Sequence, residues 1–82
     1  MHFNGERRHE WPKFAEELLE MGASKGGWDE ALKTKLDMTD SANKKLNKLA
    51  WAYLTLMLEK DALQEMDMVT SKNAYEVWHH LK

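Results

Sequence analysis

The sequence predicts an all-α fold. It is expected to be a compact five-helix bundle, two of its helices short, around a buried central helix and led by a short extended N-terminal segment. Three observations carry this. Apolar residues recur at steps of three and four along most of the chain, the spacing of one helix face. A run of ten residues, Leu49 to Leu58, has Thr55 as its only polar member. Glycine, proline and capping residues fall between the periodic segments, where helices start and stop.

Taken in order, His2-Phe3-Asn4-Gly5 reads as an extended or turn-like lead ended by an Asn-Gly pair. A first helix is expected from His9 to Met21, with Trp11, Phe14, Ala15, Leu18, Leu19 and Met21 on its apolar side and Lys13, Glu16, Glu17 and Glu20 in water. Pro12 fits in the first turn, where a missing N–H costs nothing, and Gly22 is expected to end the helix as a C′ residue. Residues 23–27 form a link, and Trp28 to Leu32 a short helix with those two residues on one side. Residues 33–39 read as a polar loop.

The central helix is expected from Asp40 to Leu58, about 28 Å long at 1.5 Å per residue. Thr39, Asp40 or Ser41 can cap it. A buried strand is the competing reading of a short apolar run, but Ala42, Leu46, Leu49, Ala50, Tyr53 and Met57 follow helical steps. Apolar side chains pointing in every direction leave this helix no face for water, which places it in the middle of the bundle. It falls short of the roughly 20 apolar residues that span a bilayer.

Asp61 and Gln64 have the spacing of a capping box opening a short helix to Met66. Thr70 or Ser71 is expected to cap the last helix, in which Ala74, Val77, Trp78 and Leu81 share a stripe. The expected core is Trp11, Phe14, Leu18, Trp28, Leu32, Leu46, Leu49, Tyr53, Val77, Trp78 and Leu81.

Composition narrows the function classes. Eighty-two residues make one domain with one modest core, and a chain of this size buries only about 60% of its unfolded surface. There is no cysteine, so no disulfide, which suits a reducing compartment. The polar first ten residues lack the apolar core of a signal peptide, and a cytoplasmic setting is expected. The formal charge of -2, with both signs interleaved, argues against a dedicated nucleic-acid surface. The last helix offers Lys72 and Asn73 but no arginine, thin equipment for reading bases. No phosphate loop, metal motif or catalytic set stands out, so neither a cofactor nor an enzymatic activity is expected. His79 and His80 are adjacent, about 100° apart on a helix, and read as solvated side chains near a helix C-terminus.

One series of motifs runs Phe3-Asn4-Gly5, Trp11, Leu18-Leu19 and Trp28-Asp29-Glu30-Ala31-Leu32. It continues with Leu49-Ala50-Trp51-Ala52-Tyr53-Leu54, Asp61-Ala62-Leu63 and Thr70-Ser71-Lys72-Asn73-Ala74-Tyr75-Glu76-Val77-Trp78. Their order resembles the capsid N-terminal lobe of copia-type LTR retrotransposon Gag proteins. Arg8 stands where an aromatic is usual, Pro12 follows the first Trp, and Asn73 replaces an acidic residue. The resemblance implies a structural self-assembly domain of a particle shell, its main partner a second copy of itself. No second lobe, zinc knuckle, protease motif or basic tail is present, so a piece of such a protein or a domesticated remnant is expected. Domesticated Gag lobes hold short peptides beside an extended N-terminal segment, which implies an alternative role as a peptide-binding module. The candidate peptide or self-association surface is His2, Phe3, Asn4, Arg7, Arg8, Trp51 and Tyr53. Within it, the Phe3 segment can pair with an incoming peptide or fold back into the groove itself. Trp51 lies off the Leu46–Tyr53 face and covers either a second packing layer or a partner site. Lys44, Lys45 and Lys48 read as a solvated face.

Overall fold

The computed structural model describes residues 2–5 and 8–81. Among them, a 3-10 turn at Arg8–Glu10 leads into α1 (Trp11–Ser24), followed by α2 (Glu30–Lys33), α3 (Ser41–Met57), α4 (Lys60–Asp67) and α5 (Ala74–Leu81). The all-α fold with five helices is as expected. Among the described residues no helix is long and apolar enough to cross a membrane.

Trp11, Phe14, Leu18 and Gly22 form the buried face of α1. Gly22 does not end this helix, as its expected C′ role would require, because the position is needed for close approach. A Cβ there would stand 2.8 Å from the Asp29 nitrogen and 3.0 Å from Trp28 Cε3. The left-handed turn comes later, at Gly26 (φ 94) and Gly27 (φ 77). The Gly27 N–H donates back to the Gly22 carbonyl at 2.9 Å. This turn delivers Trp28 and Leu32, both fully buried, against α1. Asp29, buried beside them, is paired with Lys33 Nζ at 3.2 Å. That hydrogen-bonded pairing, with help from Glu30, raises the Lys33 pKa above the ordinary lysine value.

Asp40 is the residue that caps α3, its carboxylate accepting from the N–H groups of Ala42 at 2.8 Å and Asn43 at 3.3 Å. The expected capping box at Asp61 does not form. Helix α4 begins two residues earlier than an Asp61 cap would place it, and the Ala62 N–H donates to the carbonyls of Asn4 at 3.0 Å and Glu59 at 3.1 Å. The N-terminal segment thus supplies a backbone acceptor in the first turn of α4. Neither Thr70 nor Ser71 caps α5. Asn73 does, accepting from the Tyr75 N–H at 2.9 Å, while the Ser71 hydroxyl donates to the Glu76 carboxylate. Asn47, reaching across from α3, accepts from the Ala74 N–H at 2.8 Å and donates to the Lys72 carbonyl at 3.0 Å. It thereby holds Lys72 at φ 56, a left-handed conformation that side chains other than glycine seldom adopt.

Helix α2 packs on both α3 and α5, and α4 packs on α5. Eight of the expected core residues, Trp11, Phe14, Leu18, Trp28, Leu32, Val77, Trp78 and Leu81, are buried, while Leu46 and Tyr53 are half-buried against them. Leu49 is not a core residue: it is 43% exposed. The expectation that no face of the central helix meets water fails with it. Only Ala50 and Leu54 of α3 are buried. At 100° per residue they point opposite to Lys45, Leu49, Ala52 and Leu56. The expected core also left out Phe3, Leu54, Leu58, Met66 and four buried alanines, Ala31, Ala50, Ala62 and Ala74, of which Ala50 and Ala74 do fall on the expected helical stripes. The alanines let helices approach closely.

Candidate functional site

The N-terminal part of the candidate surface is folded into the molecule. Phe3 is 3% exposed. Its N–H donates to the Met57 carbonyl at 2.9 Å, and its carbonyl accepts from Glu59 N–H at 2.8 Å, forming a single parallel bridge opposite Leu58. The ring lies 5.2 Å from Trp11 and 5.3 Å from Phe14, and Trp11 in turn lies 4.8 Å from Trp78. Aromatic contacts of this kind are worth about 0.5–1.5 kcal/mol each beyond area burial. Of the two readings of the segment, the self-filling one describes this structure. Phe3 is therefore no exposed contact residue.

Arg8 is likewise tethered internally. It donates to the Leu81 carbonyl at 2.6 Å, at the C-terminal end of α5, and to Glu65 at 2.9 Å. A planar guanidinium with donors on two arms can serve both acceptors at once, which ties the chain start to α4 and α5. His2 remains exposed, 4.0 Å from Glu59, Asn4 is half-buried, and Arg7 lies outside the described residues. A shallow depression of about 390 Å³ opens beside them, lined by His2, His9, Glu10, Lys13, Phe14 and Glu17. Among the described residues no group of three or more histidine or acidic side chains is placed to hold a metal ion.

Trp51 and Tyr53 do not join this cluster. Tyr53 stacks on Trp28, with centroids 4.6 Å apart and planes 16° from parallel. Trp51 is half-buried against the core with Lys72 Nζ 5.4 Å from its ring centre, a cation–π distance. Lys72 precedes α5, so Trp51 packs beside the turn that joins α4 to α5.

What the sequence reading passed over is the outer side of α3. Lys45, Lys48, Leu49 and Ala52 line an apolar depression of about 370 Å³, and Leu56, one turn on, is 66% exposed. Positions 45, 49, 52 and 56 advance by four, three and four residues, so they form one stripe along the helix. The signal was present in the sequence as two lysines feeding into one side of the apolar run. No family model matches the chain, and neither does any curated protein or solved structure.

Proposed function

We propose that this chain is a non-enzymatic self-association domain of the Gag capsid N-lobe type, contributing to a retrotransposon-like particle shell. The observation that carries the reading is the α3 stripe: two exposed leucines and an alanine in line, flanked by lysines. Apolar surface gathered on one face and rimmed by charge is the usual form of a protein contact site. The motif order from Phe3 to Leu81 supports the same reading. Shells multiply many weak contacts, so a modest patch per copy suffices.

Sedimentation velocity over a concentration series tests it. The parent chain is expected to gain mass with concentration, whereas Leu56→Gln stays monomeric with an unchanged helical circular dichroism spectrum. A parent that remains monomeric at every concentration and salt level overturns the reading.

A second reading, a peptide-binding module, is favoured by one observation. The groove between α1 and the α3–α4 junction already holds an extended segment by backbone pairing and an aromatic socket, the geometry of an added strand. Phe3→Ala should open that socket. A synthetic peptide of the sequence His-Phe-Asn-Gly should then shift the amide signals of Trp11, Phe14 and Leu58; an unmoved spectrum removes this alternative.

A further inference from the structure

We propose that the α3 stripe receives the outer face of α1 from a second copy of the chain, so that copies join head to tail. The inference rests on the self-association reading above and names the surface that fills the stripe.

Two ridges of charge on this molecule lack partners. On α3, Lys44, Lys45 and Lys48 are exposed and form no ion pair among the described residues. On α1, Glu16 and Glu20 are exposed, Glu17 is half-buried, and none of the three is paired either. Other charges do find one another, as Arg8 does with Glu65 at 2.9 Å and Lys35 with Glu76 at 3.6 Å. The ridges are therefore not simply the fate of every surface charge here. Each also holds a like-charge pair four residues apart, Lys44 with Lys48 and Glu16 with Glu20, an arrangement that repels along its own helix. Both pairs have the same spacing, about 6 Å along a helix axis, so one ridge can neutralise the other in register.

The apolar parts agree with the charges. Glu16 and Glu20 point away from the buried Trp11, Phe14, Leu18 and Gly22, and exposed Ala23 shares their side of α1. A small residue there lets the helix lie close to Leu49, Ala52 and Leu56. Lys13 is the one cation within α1 and opens its outer face, leaving the acidic charge to the middle of the helix. The contact joins two different patches, so it does not close on a two-fold axis and can propagate into a ring or a row of copies. Charge complementarity sets its register and disfavours stripe-on-stripe docking, which would leave the α1 acids unpaired.

Two charge-reversed variants test this: Lys44→Glu with Lys48→Glu on α3, and Glu16→Lys with Glu20→Lys on α1. Each is first confirmed as folded by circular dichroism. By sedimentation at low ionic strength, the parent is expected to associate, and to do so less as salt is added. Each variant alone is expected to be monomeric, and an equimolar mixture to regain the parent's association because reversed ridges pair again. If the α1 variant alone associates like the parent, the stripe takes another α3, and this contact is overturned while self-association stands. A mixture that stays monomeric also overturns it. A parent monomeric throughout removes both readings, and one that instead sediments with phosphatidylserine vesicles assigns the stripe to a membrane surface.

Discussion

Phe3 and Leu56 exchange the places their neighbours would suggest. Phe3 lies among polar residues near the chain start and is 3% exposed, whereas Leu56 lies in the most apolar stretch of the chain and is 66% exposed. Local apolar density does not decide which of them meets water. Phe3 has a socket made by Trp11 and Phe14, and the backbone of residues 57–59 pairs with its own. Leu56 has only its own helix, because the buried side of α3 is the opposite one, at Ala50 and Leu54. Burial is conferred by the elements that arrive, and in this fold they arrive on one side of α3. The apolar surface left on the other side is what gives the molecule an outward-facing patch.

The aromatic end should therefore carry the stability, and truncating it gives the largest effect. Trp78→Ala removes a buried indole that contacts Trp11 at 4.8 Å and should cost about 3–5 kcal/mol. For a chain of this size that lowers the melting temperature on the order of 15 °C. Phe3→Ala should cost less, about 3 kcal/mol, because a terminal segment can detach without unfolding the rest. Thermal denaturation of both variants checks the order. A fall of under about 5 °C for Trp78→Ala would break the comparison, since the buried end would then be no anchor.

How much of this was legible in the sequence follows from the same contrast. Positions whose burial is set by their own helix, such as Trp11, Phe14, Leu18, Val77 and Trp78, are readable from spacing. Positions whose burial is set by a distant partner are not. Phe3 needs the α3–α4 junction, Gly22 needs the ring of Trp28, and the start of α4 needs the Asn4 carbonyl. The first and third depend on contacts far along the chain, and the second on a turn whose course spacing does not show. Leu49 fails for the converse reason: a run apolar on all sides says nothing about how many sides are covered. The capping errors have one cause as well. Asp61, Thr70 and Ser71 are each suitable caps by type, but Asn4 and Asn73 lie nearer the free N–H groups. The α3 stripe was legible only in part, as lysines leading into leucines on one side, with the missing neighbours visible only in three dimensions.

A middle-sized effect sharpens the comparison by using a polar residue on the covered side of α3. Asn47 contributes no apolar area, yet it holds the turn before α5 through two hydrogen bonds. Asn47→Ala leaves the Ala74 N–H and the Lys72 carbonyl without that partner and should cost about 1–2 kcal/mol. Urea denaturation with an unchanged slope and a lowered midpoint is the expected result. No change in midpoint would mean that Lys72 keeps its left-handed conformation without help.

The smallest effect is the most informative, because it concerns the uncovered side directly. Leucine and glutamine have similar helix propensities, so Leu56→Gln changes the character of the α3 surface and little else. Leu54, two residues earlier, is fully buried, and Leu56 should differ from it as outside differs from inside. In dilute solution the unfolding free energy of Leu56→Gln should stay within about 0.5 kcal/mol of the parent. At high concentration the two should separate, because association stabilises the folded parent by mass action and the variant gains nothing. Denaturation midpoints measured at both concentrations distinguish the two contributions. A loss above about 1.5 kcal/mol in dilute solution would place Leu56 inside the fold, and the stripe would then be structure rather than surface. Equal midpoints at every concentration would leave the stripe exposed but unused. Only a gap that opens with concentration joins the uncovered side of α3 to assembly.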